Sequence, residues 1–165
     1  MIENDVPADE RAAQLKERVY LTFTALAVVL ALRSHAESAG DAAVVLLITV
    51  LGTLLAVLVA DVVSHIAVHA ALPDRGQLGR MVRISVGALG AVTLPFVFLG
   101  LAALGVWQVE AALRASTIAL VVSLAAIGYL AARRVRLPAW QRLIVLFAEL
   151  ALGAVVVGLE LLAHG

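Results

Sequence analysis

The chain has no cysteine and little charge. Asp, Glu, Lys and Arg together make up 15% of its 165 residues, whereas about a quarter of the residues of an average soluble domain are charged. The absence of cysteine excludes a disulfide framework, a thiolate metal site, an iron–sulfur cluster and a cysteine nucleophile. The formal net charge is zero and no basic block occurs, so the sequence lacks the phosphate-facing patch that nucleic-acid binding requires.

Motifs of enzymatic catalysis are also missing. The sequence contains no glycine-rich phosphate loop, no His-Glu-x-x-His zinc motif and no nucleophile elbow. Ser64 and His65 are adjacent, but neighbouring side chains on a helix diverge by about 100°, so the two do not form a catalytic dyad. We therefore expect no enzymatic activity.

Apolar residues are in excess. They make up 63% of the chain, and the mean hydropathy is +1.05. A helix needs about 20 mostly apolar residues to cross a bilayer, and five stretches meet or approach this length. They predict an all-α, polytopic membrane bundle that forms one five-helix domain over residues 1–165. The predicted spans cover residues 19–33, 42–72, 81–106, 109–132 and 143–163.

The first predicted span is the shortest, with 14 residues between Arg18 and Arg33. Because long arginine side chains can reach back to the interface, we expect the helix to continue on both sides. A proline followed by acidic residues is typical of a first helical turn, so the segment from Pro7 to Arg11 predicts the helix start.

A proline interrupts the third predicted span. Pro95 has no N–H group, so the carbonyl of Ala91 loses its helical hydrogen bond, and the proline ring clashes there. The sequence therefore predicts a kink in this helix, which is either part of a gate or ordinary packing strain.

Basic residues are distributed unevenly between the two sides of the predicted membrane. Ten of the twelve lysines and arginines lie on one side: Arg11, Lys16, Arg18, Arg75, Arg80, Arg83, Arg133, Arg134, Arg136 and Arg142. The positive-inside rule then places the N-terminus in the cytoplasm and, after five spans, the C-terminus outside. Arginine outnumbers lysine eleven to one, a bias typical of high-GC bacterial genomes, so we expect a bacterial plasma membrane.

Ionisable side chains recur within the second predicted span at intervals of four residues. Asp61, His65 and His69 stand at i, i+4 and i+8, which places them on one drifting face of a helix. Since an ionisable group in hydrocarbon costs roughly 2.5–3.5 kcal/mol, we expect Asp61 and His65 to face the protein interior. Three interpretations stay open: an internal Asp61–His65 pair, a proton or ion path, and a divalent-metal site.

The fifth predicted span carries a second polar stripe, with Glu149 and Glu160 on nearly the same face. Glu149 lies seven residues inside Arg142, which is about 10 Å along a helix, and His65 lies at a similar depth in the second span. If the two helices are neighbours, Asp61, His65 and Glu149 converge and form a candidate metal site. Pairing of Glu149 with Arg142 or another arginine is the alternative.

The two stripes support two hypotheses of function. In the first, a homo-oligomer in the lipid bilayer conducts or transports protons or a divalent cation along Asp61, His65, His69, Glu149 and Glu160. In the second, the protein is a non-transporting accessory or partner-binding module whose acids form internal ion pairs. The hypotheses differ in whether water reaches Asp61 and Glu149. No cofactor other than a divalent metal ion is expected.

The five predicted spans, the cytoplasmic N-terminus and the acidic second span with Asp61 together resemble vacuolar iron transporter-like proteins. The resemblance implies iron transport, with Asp61 as the one functional residue carried over. That family is expected to have an acid in its first span and a long acidic metal-binding insertion between its second and third spans. In this sequence the first predicted span has no acid, and the corresponding connection is the short turn Pro73–Gly79.

The predicted topology can be tested by labelling single introduced cysteines in intact cells, since the native chain has none. We expect cysteines at Ser38 and Gly165 to react with an impermeant maleimide added outside, because both positions follow an odd number of spans. A cysteine at Gln77 is expected to react only after the cells are opened. Labelling of Gln77 from outside would overturn the topology.

Overall fold

A computed structural model describes residues 8–36 and 38–134 and the single positions 140, 143, 144, 147, 151 and 158. All regular structure in these ranges is helical. The helices are α1 (Ala8–His35), α2 (Ala39–His69), α3 (Arg75–Ala88), α4 (Thr93–Ala103) and α5 (Val109–Arg134), with a 3-10 turn (Leu89–Val92) between α3 and α4. The all-α fold class is therefore confirmed.

Three helical segments are long and apolar enough to cross a membrane: α2, the run from α3 through α4 (Arg75–Ala103), and α5 from Val109 to Leu130. They correspond to the second, third and fourth predicted spans. Helix α1 is not among them, because its first half is charged. The fifth predicted span, 143–163, falls almost entirely outside the described residues.

Helix α1 occupies the centre of the bundle. It runs from Ala8, the first described residue, to His35 and so continues beyond both flanking arginines, as predicted. It packs against α2, α3 and α5. Its fully buried apolar side chains are Leu21, Ala25, Leu26, Val29 and Leu30. Their spacing of three and four residues forms one apolar face that the other helices cover.

Helix α2 lies three residues earlier in the chain than the predicted range 42–72. It begins after Ser38, whose hydroxyl accepts a hydrogen bond from the Asp41 N–H at 3.0 Å, and such a cap satisfies an amide at the helix start. It ends at His69 because Ala70 adopts a left-handed conformation with φ 50°. Apolarity alone set the predicted boundaries, whereas the cap and the turn set the observed ones.

The third predicted span also begins earlier than expected, at Arg75 rather than residue 81. Asp74 and Gln77 form a reciprocal capping box, with two hydrogen bonds of 2.8 Å, and this start signal outweighs the charge of the first turn. The 3-10 turn ends three residues before Pro95 and contains Ala91. The helix thus leaves regular α geometry where the missing proline N–H is predicted to disturb it.

Helix α2 is buried on one side and only near its start. Its fully buried residues are Ala39, Ala42, Leu46 and Val50, and none of its residues after Val50 is fully buried. Large apolar side chains such as Ile48, Leu55 and Val63 are more than half exposed. An exposed apolar surface of this extent is typical of a lipid-facing helix, which agrees with a membrane protein.

Two adjacent leucines of α2 provide a matched test of this packing. Leu46 is 0% exposed and Leu47 is 45% exposed. We expect Leu46→Ala to lower the free energy of unfolding by about 2–5 kcal/mol, because it leaves a cavity in the core. Leu47→Ala is expected to change it by less than about 0.5 kcal/mol. Denaturant unfolding in detergent would measure both, and equal effects would contradict the observed orientation of α2.

Candidate functional site

A carboxyl group is buried in the apolar bundle. Glu17 of α1 is only 2% exposed, and it lies one helical turn before the buried Leu21. Ser85 of α3 is 5% exposed and lies beside it, close enough to influence its ionisation. Charged residues are almost never fully buried unless they are paired, so the burial of Glu17 requires a reason.

Neither Glu17 nor Ser85 has its polar atoms satisfied. Both carboxylate oxygens of Glu17 and the Oγ atom of Ser85 are buried, without a hydrogen-bond partner of regular geometry among the described residues. Other buried hydroxyls behave differently: Thr22 donates to the Arg18 carbonyl at 2.6 Å, and Ser116 donates to the Ala112 carbonyl at 2.8 Å. Leaving a buried polar group unpaired costs about 1–3 kcal/mol. Glu17 and Ser85 therefore form a locally unfavourable, polar pair.

Asp61 of α2 brings a second carboxylate near this pair. Asp61 is half-buried, whereas Val59 and Val63 on the same helix are more than half exposed. Its negative charge acts on Glu17. Asp61 therefore faces the bundle, as expected for an acid within a membrane span, and three helices contribute to one polar site: Glu17 from α1, Asp61 from α2 and Ser85 from α3.

The surroundings favour a protonated Glu17. Burial raises the pKa of the Glu17 carboxyl above its ordinary value, and the nearby Ser85 hydroxyl acts in the opposite direction. The negative charge of Asp61 adds to the rise, and the positive charge of Lys16 lowers the pKa. Desolvation and a like charge both disfavour a carboxylate, so Glu17 holds its proton at a higher pH than an exposed glutamate does.

Two histidines continue the polar face of α2 towards its C-terminal end. The rings of His65 and His69 are stacked, with centroids 4.3 Å apart and planes inclined by 20°. The Nδ1 atom of His69 lies 3.2 Å from the carbonyl oxygen of His65, a contact in which Nδ1–H donates. His65 is half-buried and His69 is exposed. No hydrogen bond or ion pair joins His65 to Asp61, so the internal pair is not formed in this structure.

Glu10, a second acid of α1, has the cationic partner that Glu17 lacks. The side chain of Glu10 is 11% exposed and forms an ion pair with Arg83 of α3 at 3.5 Å. Glu10 and Glu17 thus lie on the same helix and face the same neighbour, α3. On α3, Arg83 forms an ion pair with Glu10, whereas Glu17 has only the hydroxyl of Ser85 as a polar neighbour from this helix.

The predicted site residues fall into two groups. Asp61, His65 and His69 lie along one helix as their spacing predicts, whereas Glu149 and Glu160 lie outside the described residues. The proposed metal ligands Asp61, His65 and Glu149 are therefore not seen together. Within the described part of the chain, no group of three or more His, Asp or Glu side chains could hold a metal ion.

Glu17 and Ser85 were missed by the sequence analysis. The first span was predicted to begin at residue 19, so Glu17 fell outside it. A signal was present, since Glu17, Leu21 and Ala25 follow one another at intervals of four and therefore share a helix face. Ser85 gave no comparable signal, because its importance depends on which helix α3 packs against.

No family model, no curated protein and no solved structure matches this chain. The resemblance to vacuolar iron transporter-like proteins therefore stays a prediction. The function has to be inferred from the site itself.

The raised pKa of Glu17 predicts a specific pH dependence of stability. The folded protein binds this proton more tightly than the unfolded chain does, so the stability linked to Glu17 is complete below the ordinary glutamate pKa. It is lost as the pH rises through the raised value. We expect Glu17→Gln to decrease this loss, which thermal unfolding in detergent at a series of pH values would measure.

Glu10→Gln is the matched control, because Glu10 has a cationic partner that Glu17 lacks. The Glu10→Gln variant should lose stability with rising pH to the same extent as the native protein. If the unfolding temperatures of Glu17→Gln and of the native protein changed in parallel with pH over the whole series, the raised pKa of Glu17 would be contradicted.

Proposed function

We propose that this chain is a multi-pass plasma-membrane protein that moves protons or a divalent cation across the bilayer. The proposal includes five spans, a cytoplasmic N-terminus and an external C-terminus. Three described segments support it, because each is long and apolar enough to cross a membrane. The distribution of basic residues supports the orientation.

The observation that carries the proposal is the buried, unpartnered carboxyl of Glu17 in the electrostatic field of Asp61. A buried acid that lies within the electrostatic reach of a second acid reduces the stability of the bundle. Asp61 lies in a helix long and apolar enough to span a membrane, and ionisable groups inside such helices are characteristic of ion pathways and proton relays. An accessory module has no need of this arrangement, since an acid with a cationic partner, such as Glu10 with Arg83, avoids the cost of an unpaired buried carboxyl.

His65 and His69 extend the path from the acids to the cytoplasmic side. Asp61 lies eight residues before His69, which is about 12 Å along a helix, and His69 is exposed at the helix end. Histidine gains and loses a proton near neutral pH. A proton that enters at His69 therefore has titratable groups at successive turns on its way to Asp61.

The outer part of the path is assigned to the fifth predicted span and to a second copy of the chain. Glu149 and Glu160 belong to that span, and Glu149 is predicted to lie at the height of His65. The C-terminal half of α2 has no fully buried residue among those described, so further helices have room to pack beside Asp61. A homo-oligomer supplies such helices and a wider polar path than one small bundle.

A flux assay tests the proposal directly. The purified protein in liposomes is expected to move protons or a divalent cation down an imposed gradient, as reported by an enclosed fluorescent indicator. Asp61→Asn should abolish most of this flux, because it removes the charge at the centre of the path. Glu149→Gln should also reduce it.

Asp41→Asn is the matched control for Asp61→Asn. Asp41 lies on the same helix, but it is exposed in the first turn, where it bonds to Ser38. This variant is expected to retain the native flux. Absence of flux for protons and for divalent cations in the native protein would instead favour a non-transporting accessory module.

A further inference from the structure

We propose that Glu17 is a proton-binding site and the residue at which the path is loaded with its ion. The ion is thereby named as a proton. The loading role rests on the proposed function, whereas proton binding by Glu17 stands on the geometry around its carboxyl group.

The geometry consists of the burial of the carboxyl group and its lack of regular hydrogen-bond partners. Glu17 is 2% exposed, and both of its carboxylate oxygens lack a hydrogen-bond partner among the described residues. Ser85, which is also buried and unpartnered, faces it from α3. A hydroxyl can donate to an ionised carboxylate and accept from a protonated one. The pair can therefore accommodate both protonation states of Glu17.

Among the described side chains, those of α1, α2 and α3 offer Glu17 little positive charge. From α2 it meets the carboxylate of Asp61, and on α1 itself its cationic neighbour is the exposed Lys16. On α3, Arg83 is paired with Glu10.

The segment of α5 from Val109 to Leu130 offers Glu17 no positive charge either. Its two charged residues, Glu110 and Arg114, pair with each other at the opposite end of the bundle. Its one titratable aromatic, Tyr129, is exposed. The 3-10 turn Leu89–Val92, which also contacts α1, is uncharged. Among the described side chains, Asp61 and Lys16 are thus the charged groups that influence the ionisation of Glu17.

A proton fits this site better than a metal ion does. Among the described side chains no third acid or histidine joins Glu17 and Asp61 in a group that could hold a metal. One proton on either carboxyl removes the repulsion between the two acids. In loading, a carboxylate oxygen of Glu17 gains a proton from a hydronium ion, whose O–H bond breaks to leave a water molecule. In release, the O–H bond of Glu17 breaks and the proton returns to a water molecule, with no other bond changed.

Labelling with N,N′-dicyclohexylcarbodiimide tests the inference on the intact protein in liposomes. This apolar reagent reacts with protonated carboxyl groups in apolar surroundings, and the adduct rearranges to a stable N-acylurea that peptide mass spectrometry locates. The protein is labelled at a series of values between about pH 5 and pH 9, which lie above the ordinary pKa of glutamate. We expect Glu17 to be labelled at neutral pH, and the labelling to fall as the pH rises.

Glu10 is the internal control in the same sample, because it lies on the same helix and is largely buried but is paired with Arg83. It should remain unlabelled at neutral pH. Two variants move the Glu17 labelling midpoint in opposite directions. Asp61→Asn removes a repelling charge and should shift it to lower pH, whereas Ser85→Ala removes a group that favours the ionised form and should shift it to higher pH.

Equal labelling of Glu10 and Glu17, or no labelling of Glu17 at neutral pH, would overturn the inference. So would midpoints that stay unchanged in both variants. The flux assay is separate: flux in a protein whose Glu17 is not labelled leaves the transport function in place and removes Glu17. Labelling with the expected midpoints in a protein without flux confirms the proton site and removes its loading role.

Discussion

The central position of α1 determines where polar groups in this bundle can lie. Its apolar face, from Leu21 to Leu30, is covered by α2, α3 and α5. Because helical residues four apart share a face, extending this face towards the N-terminus buries Glu17 as well. The packing that stabilises the bundle thus also removes a carboxyl group from water and places it between α2 and α3.

Hydroxyl groups in the bundle show how a polar side chain is normally accommodated there. Thr22, Thr49, Thr53, Ser116 and Thr117 each donate to the carbonyl four residues earlier, which satisfies the hydroxyl within its own helix. Ser85 is as buried as Ser116 and makes no such bond. Its hydroxyl remains available to Glu17, so the two polar groups depend on each other across the α1–α3 contact.

The burial of side chains differs between the two ends of α2. The first third of this helix is packed against the core, whereas the part that carries Asp61, His65 and His69 has only half-buried and exposed residues. With 31 residues, the helix is about 46 Å long and exceeds the hydrocarbon thickness of about 30 Å. A helix of this length is therefore longer than a perpendicular crossing of the hydrocarbon requires.

The sequence by itself determined the all-α class, the apolar segments, and the common face of Asp61, His65 and His69, because these follow from composition and from the 3.6-residue helical repeat. It also located the disturbance before Pro95, which a missing N–H group causes locally. The boundaries of α2 and α3 depended on the caps at Ser38 and Asp74, which apolarity does not reveal. Only the tertiary structure decided that Glu17 is buried beside Ser85 and within the electrostatic reach of Asp61, since this arrangement depends on how three helices far apart in the chain pack together.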